Sequence, residues 1–266
     1  MPELPEVESY RSLAATAVGR TVARVDVTDP HCLGPGTTAR LLAERLVGAE
    51  LVSARRRGKL LLIEARSGTD EPVLGVRFGM TGVLTLDGER AVDRLLYTAT
   101  EASPRWIRFR LETAGGGELA LQDPRRFGRV VLDPDEEALG PDALTVEASE
   151  LRAALAAGRG DGPALKARLL DQSRLAGLGN LAVDEILWRV ALSPLRPCET
   201  LTAPEVSRLH RGIRSTLRLL IRRGGSHLGD LMPERRPAGR CPRDHAALAR
   251  GRVGGRSTWW CPLHQV

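Results

Sequence analysis

Residues 2 to 8, Pro2-Glu3-Leu4-Pro5-Glu6-Val7-Glu8, hold a combination of groups that can do covalent chemistry. Removal of an initiator methionine before a small residue leaves Pro2 as a free secondary amine, and an α-amino group titrates near ~8, so part of it is unprotonated at neutral pH. Such an amine attacks a carbonyl carbon and forms a Schiff base. Glu3 sets a carboxyl group one residue away, a candidate general acid or base. A second reading stays open on these residues alone: Pro5 suits the first turn of a helix, and acids there are favoured by the macrodipole.

Other stretches pair cations with unusual neighbours. Arg55-Arg56-Arg57-Gly58-Lys59 puts four cations in five residues, which reads either as a phosphate clamp or as an edge strand protected by charge. Asp123-Pro124-Arg125-Arg126-Phe127-Gly128 places one of only nine aromatic residues in a Pro/Gly-bounded loop beside planar cations. Such a loop suits insertion into a base stack. Met80, in Gly79-Met80-Thr81-Gly82, is a candidate second wedge, with burial in a core the alternative for both side chains. Gly177-Leu178-Gly179-Asn180 joins two expected helices, with Asn180 placed to cap the second. Its turned N–H groups form either a phosphate seat or only a tight helix-helix turn. Cys241-x3-His245 and Cys261-x2-His264 flank an alternating stretch centred on Gly254-Gly255. Two ligand pairs joined by a β-hairpin satisfy tetrahedral zinc with no open position, hence one structural ion, and the hairpin tip presents Arg256. Zinc would fold a tail that has almost no core of its own.

The elements that must hold these groups follow from patterning. Strands are expected at 21–28, 60–63, 73–78, 83–86, 106–111, 118–121 and 129–132, short runs whose spacing argues for a β-sandwich or barrel. Helices are expected at 5–17, 148–157, 164–172, 181–190 and 204–223, the last with a Thr202/Glu205 capping box and a Gly224-Gly225 stop. Composition shifts near 133–141, so the reading is a multi-domain α+β chain: 1–135 a β-sandwich with flanking helices, 136–230 helical, 231–266 a finger. The net charge of +6 is uneven, because residues 206–256 carry 13 arginines against three acids, a local +10, leaving −4 elsewhere. That is the footprint of a phosphate-binding surface, or of a solvated arginine-rich helix. No apolar run approaches the ~20 residues of a membrane span and no signal peptide is evident, so the chain is read as soluble and cytoplasmic. Cys32 and Cys198 stand alone as structural thiols.

Taken together, these motifs resemble the formamidopyrimidine-DNA glycosylase and endonuclease VIII family of bacterial base-excision-repair enzymes. The likeness runs from Pro2-Glu3-Leu4-Pro5-Glu6-Val7-Glu8 through Arg57-Gly58-Lys59, Gly79-Met80-Thr81-Gly82 and Asp123 to Gly128, then Gly177 to Asn180 with Asp184-Glu185, and Gly254-Gly255-Arg256-Ser257-Thr258 with the finger. It implies an N-terminal β-sandwich, a helix-two-turn-helix domain and a zinc finger, in a monomer acting on damaged double-stranded DNA. The activity implied is that of a bifunctional glycosylase and abasic-site lyase on oxidised bases. By the same resemblance Pro2 attacks C1′ of a flipped nucleotide, Glu3 protonates the sugar ring oxygen and Glu6 supports the site. Lys59 and Arg256 engage phosphates and assist β- and then δ-elimination. Met80, Arg125 and Phe127 fill the gap in the stack, and Lys166 and Asn180 contact the backbone. The chain departs from the family pattern in four places: a finger with His245 and His264 for two cysteines, Arg77-Phe78 for His-Leu, Ala182 for Tyr, and a short segment from Ser226 to Arg240. A damage-binding protein of the same fold is the competing function, and a zinc-finger regulator would leave the amine chemistry without a purpose.

Overall fold

The computed structural model describes residues 2–92, 95, 103–156 and 163–266. The chain forms two compact units, Met1–Pro2 with Glu6–Glu136 and Glu3–Pro5 with Glu137–Val266.

The first unit is built on two antiparallel sheets. β2 (Glu50–Arg57), β3 (Leu60–Arg66), β4 (Val73–Arg77) and β9 (Arg129–Leu132) pair in that order, and β1 (Val22–Asp26), β7 (Ile107–Thr113), β8 (Glu118–Gln122), β5 (Val83–Leu86) and β6 (Glu89–Arg90) form the second sheet. Along β7 every second residue is buried, so Ile107, Phe109, Leu111 and Thr113 face inward, the period-2 pattern of a half-buried strand. Both sheets feed one core, with Leu61, Ile63 and Val76 from one and Leu84, Phe109 and Leu121 from the other, closed by Val7, Tyr10 and Ala14 of α1 (Leu4–Ala15). The expected sandwich is present.

The sequence reading gave neither α2 (Ala39–Leu46) nor the short β6, and it offered β2 only as one alternative for residues 55–59. α2 begins at Thr38, whose hydroxyl accepts from Leu41 N at 3.1 Å, and buries Leu42 and Leu46. β2 carries too many cations for an apolar pattern, yet Arg55 pairs with Glu64 and Glu136 and Arg56 with Glu8 at 3.0 Å. These acids neutralise the run, and β2 lies at the edge of its sheet. For Arg55 and Arg56 the charge-protected edge strand is therefore the better description.

The second unit is helical: α3 (Ala148–Leu155), α4 (Leu165–Leu169), α5 (Asn180–Arg189) and α6 (Ala203–Arg223), followed by the hairpin β10 (Ala249–Val253) and β11 (Arg256–Trp260). Ala157, the expected end of α3, lies outside the described residues. α4 stops short of Gln172 because the Asp171 carboxylate takes the Ser173 N–H at 3.0 Å and its hydroxyl at 2.7 Å, a local bond that competes with the helix. α6 has the expected capping box at Thr202 and Glu205 and ends at Gly224 in the left-handed region, φ 96°. Leu178, Ile186, Leu209, Ile213 and Leu217 form its core. No described helix is long and apolar enough to cross a membrane.

Candidate active site and nucleic-acid interface

Pro2, Glu3 and Glu6 are all buried, Glu3 at 2% and Glu6 at 1% exposure. The Glu3 carboxylate accepts Leu181 N at 2.9 Å and Ala182 N at 3.0 Å, the free N–H groups of the first turn of α5. An anion there satisfies orphan donors and complements the helix dipole. Gly179, the N-cap of α5, is required because a Cβ would lie 2.1 Å from the Glu3 carboxyl carbon. This corrects the reading of Gly177 to Asn180 as a phosphate seat: the helix N-terminus is filled by an internal carboxylate. Asn180 is the first residue of α5 and not its cap, and its Oδ1 is buried with no hydrogen-bond partner. Glu6 acts on its neighbour Tyr10, whose hydroxyl is pushed above its ordinary range by burial and by that charge.

Lys59 follows Gly58, φ 59°, in the two-residue turn between β2 and β3, and it is half-buried. The Met80 loop and the Arg125–Phe127 loop, both expected to act as wedges, meet. Gly79 packs so closely on Phe127 that a Cβ would come within 2.5 Å of its carbonyl carbon. Asp123, fully buried, accepts Thr81 Oγ1 at 2.5 Å, Arg125 N at 3.1 Å and Gly128 N at 2.6 Å. One carboxylate thus ties the Met80 loop to the Arg125–Phe127 loop. Arg125 lies over the Phe127 ring at 5.1 Å and Phe127 remains 49% exposed, so it is not a core residue. Arg126 turns away to a bidentate pair with Asp29 at 2.6 and 2.8 Å. Asp123 is a positioning residue for both loops, legible in the sequence only as the acid that opens the Asp123 to Gly128 motif.

In the helical unit the hairpin turn Gly254-Gly255 has φ of 56° and 73°, the two-residue geometry that matches strand twist, and Arg256 beside it is exposed. Lys166, expected on a phosphate-facing surface, is fully buried. Its ammonium donates to Asp184 at 2.6 Å and to Ser257 O at 3.2 Å, and Arg235 closes the group on Asp184 at 2.8 Å. Burial pushes Lys166 down and Asp184 up, and removing either charge would strand the other. The neighbouring Glu185 accepts Asp230 N at 3.0 Å and Leu231 N at 2.9 Å, which ties the short segment after α6 to α5.

Cys241, Asp244, Cys261 and His264 bring one donor atom each within 4.8 Å of one another, a group able to hold a metal ion. His245, the expected ligand, is exposed and outside this group; at φ 59° its side chain turns to solvent. The physical reason is the knuckle: His245 N donates to Cys241 O at 2.9 Å, as Gln265 N does to Cys261 O at 3.2 Å. Each knuckle therefore aims the residue three after its cysteine at the partner pair. The signal was legible as a repeat, Cys241-Pro-Arg-Asp244 and Cys261-Pro-Leu-His264.

Family models for the formamidopyrimidine-DNA glycosylase N-terminal domain and the formamidopyrimidine-DNA glycosylase H2TH domain match residues 1–130 and 139–231. The chain belongs to the formamidopyrimidine-DNA glycosylase family. It is similar to the Paracoccus denitrificans formamidopyrimidine-DNA glycosylase, 34% identical with all of both chains covered, and to that of Carboxydothermus hydrogenoformans, 34% identical over 98% of each. Its fold is similar to a Lactococcus lactis Fpg in complex with DNA containing N7-benzyl-Fapy-dG, with TM-score 0.80, 27% identity and 99% of each chain covered. A second Lactococcus lactis Fpg structure, with abasic-site DNA, matches with TM-score 0.80, 26% identity and 99% of each chain covered.

Family membership makes the chain a DNA glycosylase with abasic-site lyase activity. Of its departures from the family pattern, Phe78 packs on Tyr10 with ring centroids 4.4 Å apart, and Ala182 is buried, its backbone N–H one of the two that hold Glu3.

Proposed function

We propose that this glycosylase excises oxidatively damaged bases from double-stranded DNA through a Schiff base on Pro2, acting as a monomer in the bacterial cytoplasm. The observation that carries the reading is the Glu3 carboxylate fixed on Leu181 N and Ala182 N, one residue from the Pro2 amine. A flipped nucleotide exposes C1′. The Pro2 nitrogen bonds to C1′ as the bond from C1′ to the damaged base breaks, the base leaving with that electron pair and taking a proton from water. Glu3 takes the amine proton and delivers it to the sugar ring oxygen as the C1′–O4′ bond opens to the iminium. The resulting iminium is an electron sink that acidifies the C2′ proton, so β-elimination of the 3′ phosphate and δ-elimination of the 5′ phosphate follow from the same adduct. Glu6 supports the amine's surroundings, and Lys59 and Arg256 engage the phosphates that leave. Met80, Arg125 and Phe127 occupy the gap in the stack, and Asn180, with its unpartnered Oδ1, offers its amide side to the backbone. Lys166 serves from the interior, through Asp184 and the hairpin.

In this division of labour residues 1–135 carry the chemistry, 136–230 grip DNA, and 231–266 form a finger on one structural zinc. The donor set fits that ion. Cys241 Sγ to His264 Nδ1 is 3.6 Å and Cys261 Sγ to Asp244 Oδ2 is 3.2 Å, near the roughly 3.3–3.8 Å edges of a tetrahedron with zinc–ligand bonds of 2.0–2.3 Å. Trp188 Nε1 donates to Cys241 Sγ at 3.3 Å, the kind of outer hydrogen bond that orients a ligand. Zinc there supplies folding energy and no reaction step.

Borohydride trapping on an abasic-site duplex tests the reading. The wild type gives a covalent adduct. A tag left on the N-terminus turns the amine into an amide and removes trapping, and Pro2→Gly, which leaves only a primary amine, sharply lowers it. No adduct from wild-type protein that binds the duplex would move the function to damage binding.

A further inference from the structure

α6 carries a face that the catalytic reading does not use. Between positions 207 and 222 that face holds only Ser207, Arg208, Arg211, Arg214, Ser215, Arg218 and Arg222. At about 100° per residue the five arginines fall within a sector of about 120°, and at 1.5 Å per residue they extend over about 21 Å. The buried residues Leu209, Ile213, Thr216, Leu217 and Leu220 occupy the opposite side, where α6 packs on α5 and α3. The stripe therefore points away from α5, the helix whose first turn holds Glu3.

Most of the chain's other arginines meet acids or backbone carbonyls. Arg45, Arg55, Arg126, Arg189 and Arg196 each pair with a carboxylate, and Arg223, one residue beyond the stripe, pairs with Asp230 at 2.7 Å. Among the described residues none of the five stripe arginines has a carboxylate within ion-pairing distance. The helix's one acid, Glu205, is taken by Arg196 and the cap. Like charges three and four residues apart destabilise a helix, and no carboxylate among the described residues offsets them. The face has no apolar anchor of the kind a protein interface centres on. Its regular cations instead match a linear polyanion, with about 21 Å spanning roughly six phosphates of one strand at 3.4 Å rise.

We infer that the arginine stripe of α6 is a second DNA-binding surface, which holds the backbone of an undamaged duplex segment while the lesion site is occupied. Contact there is sequence-independent, released by salt, and independent of the glycosylase chemistry. It gives the enzyme a second hold on crowded DNA, from which a neighbouring segment can be captured before the first is released.

The test saturates the protein with a duplex carrying a tetrahydrofuran abasic-site analogue, then titrates a differently labelled undamaged 20-base-pair duplex and reads anisotropy and energy transfer between the two. The wild-type complex takes up the second duplex, with a log-log salt slope steepened by about 0.9 per phosphate contacted. The combined variant Arg208→Gln, Arg211→Gln, Arg214→Gln, Arg218→Gln and Arg222→Gln lowers second-duplex affinity at least tenfold, with first-duplex affinity within twofold and excision rate unchanged. The matching five-lysine variant retains both duplexes, which separates charge from folding. No second uptake by the wild type, uptake unchanged in the glutamine variant, or equal loss at both sites would overturn the inference. If the tetrahydrofuran duplex itself failed to bind, the lesion-site reading would fall. The glutamine variant's affinity for undamaged duplex alone would still decide the stripe, a tenfold loss supporting it and no loss refuting it.

Discussion

The wedge loops of the β unit and the hairpin of the helical unit each present an arginine beside a tight turn, but they are held by different physics. Arg125 and Phe127 rest on Asp123, a buried carboxylate whose acceptors are filled by Thr81, Arg125 and Gly128, at the margin of a core drawn from two sheets. Arg256 rests on a hairpin whose apolar cluster is little more than Trp188, Leu231, Cys241 and Cys261. What replaces a core there is the four-donor cluster on one side and the Lys166–Asp184–Arg235 group on the other. A loop beside a large core tolerates the loss of one polar group better than a hairpin whose order depends on ions.

The largest expected effect comes from the metal cluster. Asp244→Ala or chelation releases the ion and disorders the hairpin, because structural zinc supplies on the order of 10 kcal/mol or more to such folds, whereas His245→Ala keeps one zinc per chain. Metal content by mass spectrometry under native conditions and hydrogen exchange at residues 249–260 read both variants, and loss of zinc in His245→Ala alone would reverse the ligand assignment. Next comes Lys166→Met, which leaves a buried carboxylate short of its partner and lowers stability by about 3–5 kcal/mol; denaturant unfolding checks it, with Lys166→Met and Asp184→Leu together recovering part of the loss. Asp123→Ala follows, at about 2–3 kcal/mol from charge-assisted hydrogen bonds lost to a buried site. Its signature is local, a large fall in affinity for abasic-site duplex with the β-sheet circular dichroism unchanged.

The smallest effect concerns the start of α6. Glu205 is pushed from 4.5 down to about 2 by hydrogen bonds from Thr202 N and its hydroxyl and by the Arg196 fork. A folded-state value below the unfolded one means that this stability is fully present above about pH 4.5 and is lost as pH falls toward about 2. Glu205→Gln should therefore flatten the acid limb of the stability curve by lowering stability at pH 7 while changing little near pH 2, as thermal melts across that window would report.

How much was legible in the sequence depended on the range of the interaction concerned. Strand alternation in β7, the capping box at Thr202 and the glycine stop of α6 are set by neighbours a few residues apart, so their patterns predict them. β2 stayed undecided between a phosphate clamp and an edge strand because Arg55 and Arg56 find their acids at Glu64, Glu136 and Glu8, positions that no local window joins. His245 was read as a ligand from the Cys/His pairing alone, while the direction in which each side chain points is decided by the knuckle.

By itself the sequence determined the chemical kinds present: an amine next to a carboxylate, loops able to present Met80 and Phe127, one cysteine at each foot of a Gly-Gly hairpin, and an arginine excess after residue 206. Only the tertiary structure decided which of those groups are spent internally. Glu3 fills the α5 terminus that was read as a phosphate seat, Lys166 lies inside and not against a backbone, and Asp244 replaces His245. The reason is that a charge's partner is chosen by proximity in space and by the cost of burying it unpaired, and neither quantity is written in the order of residues.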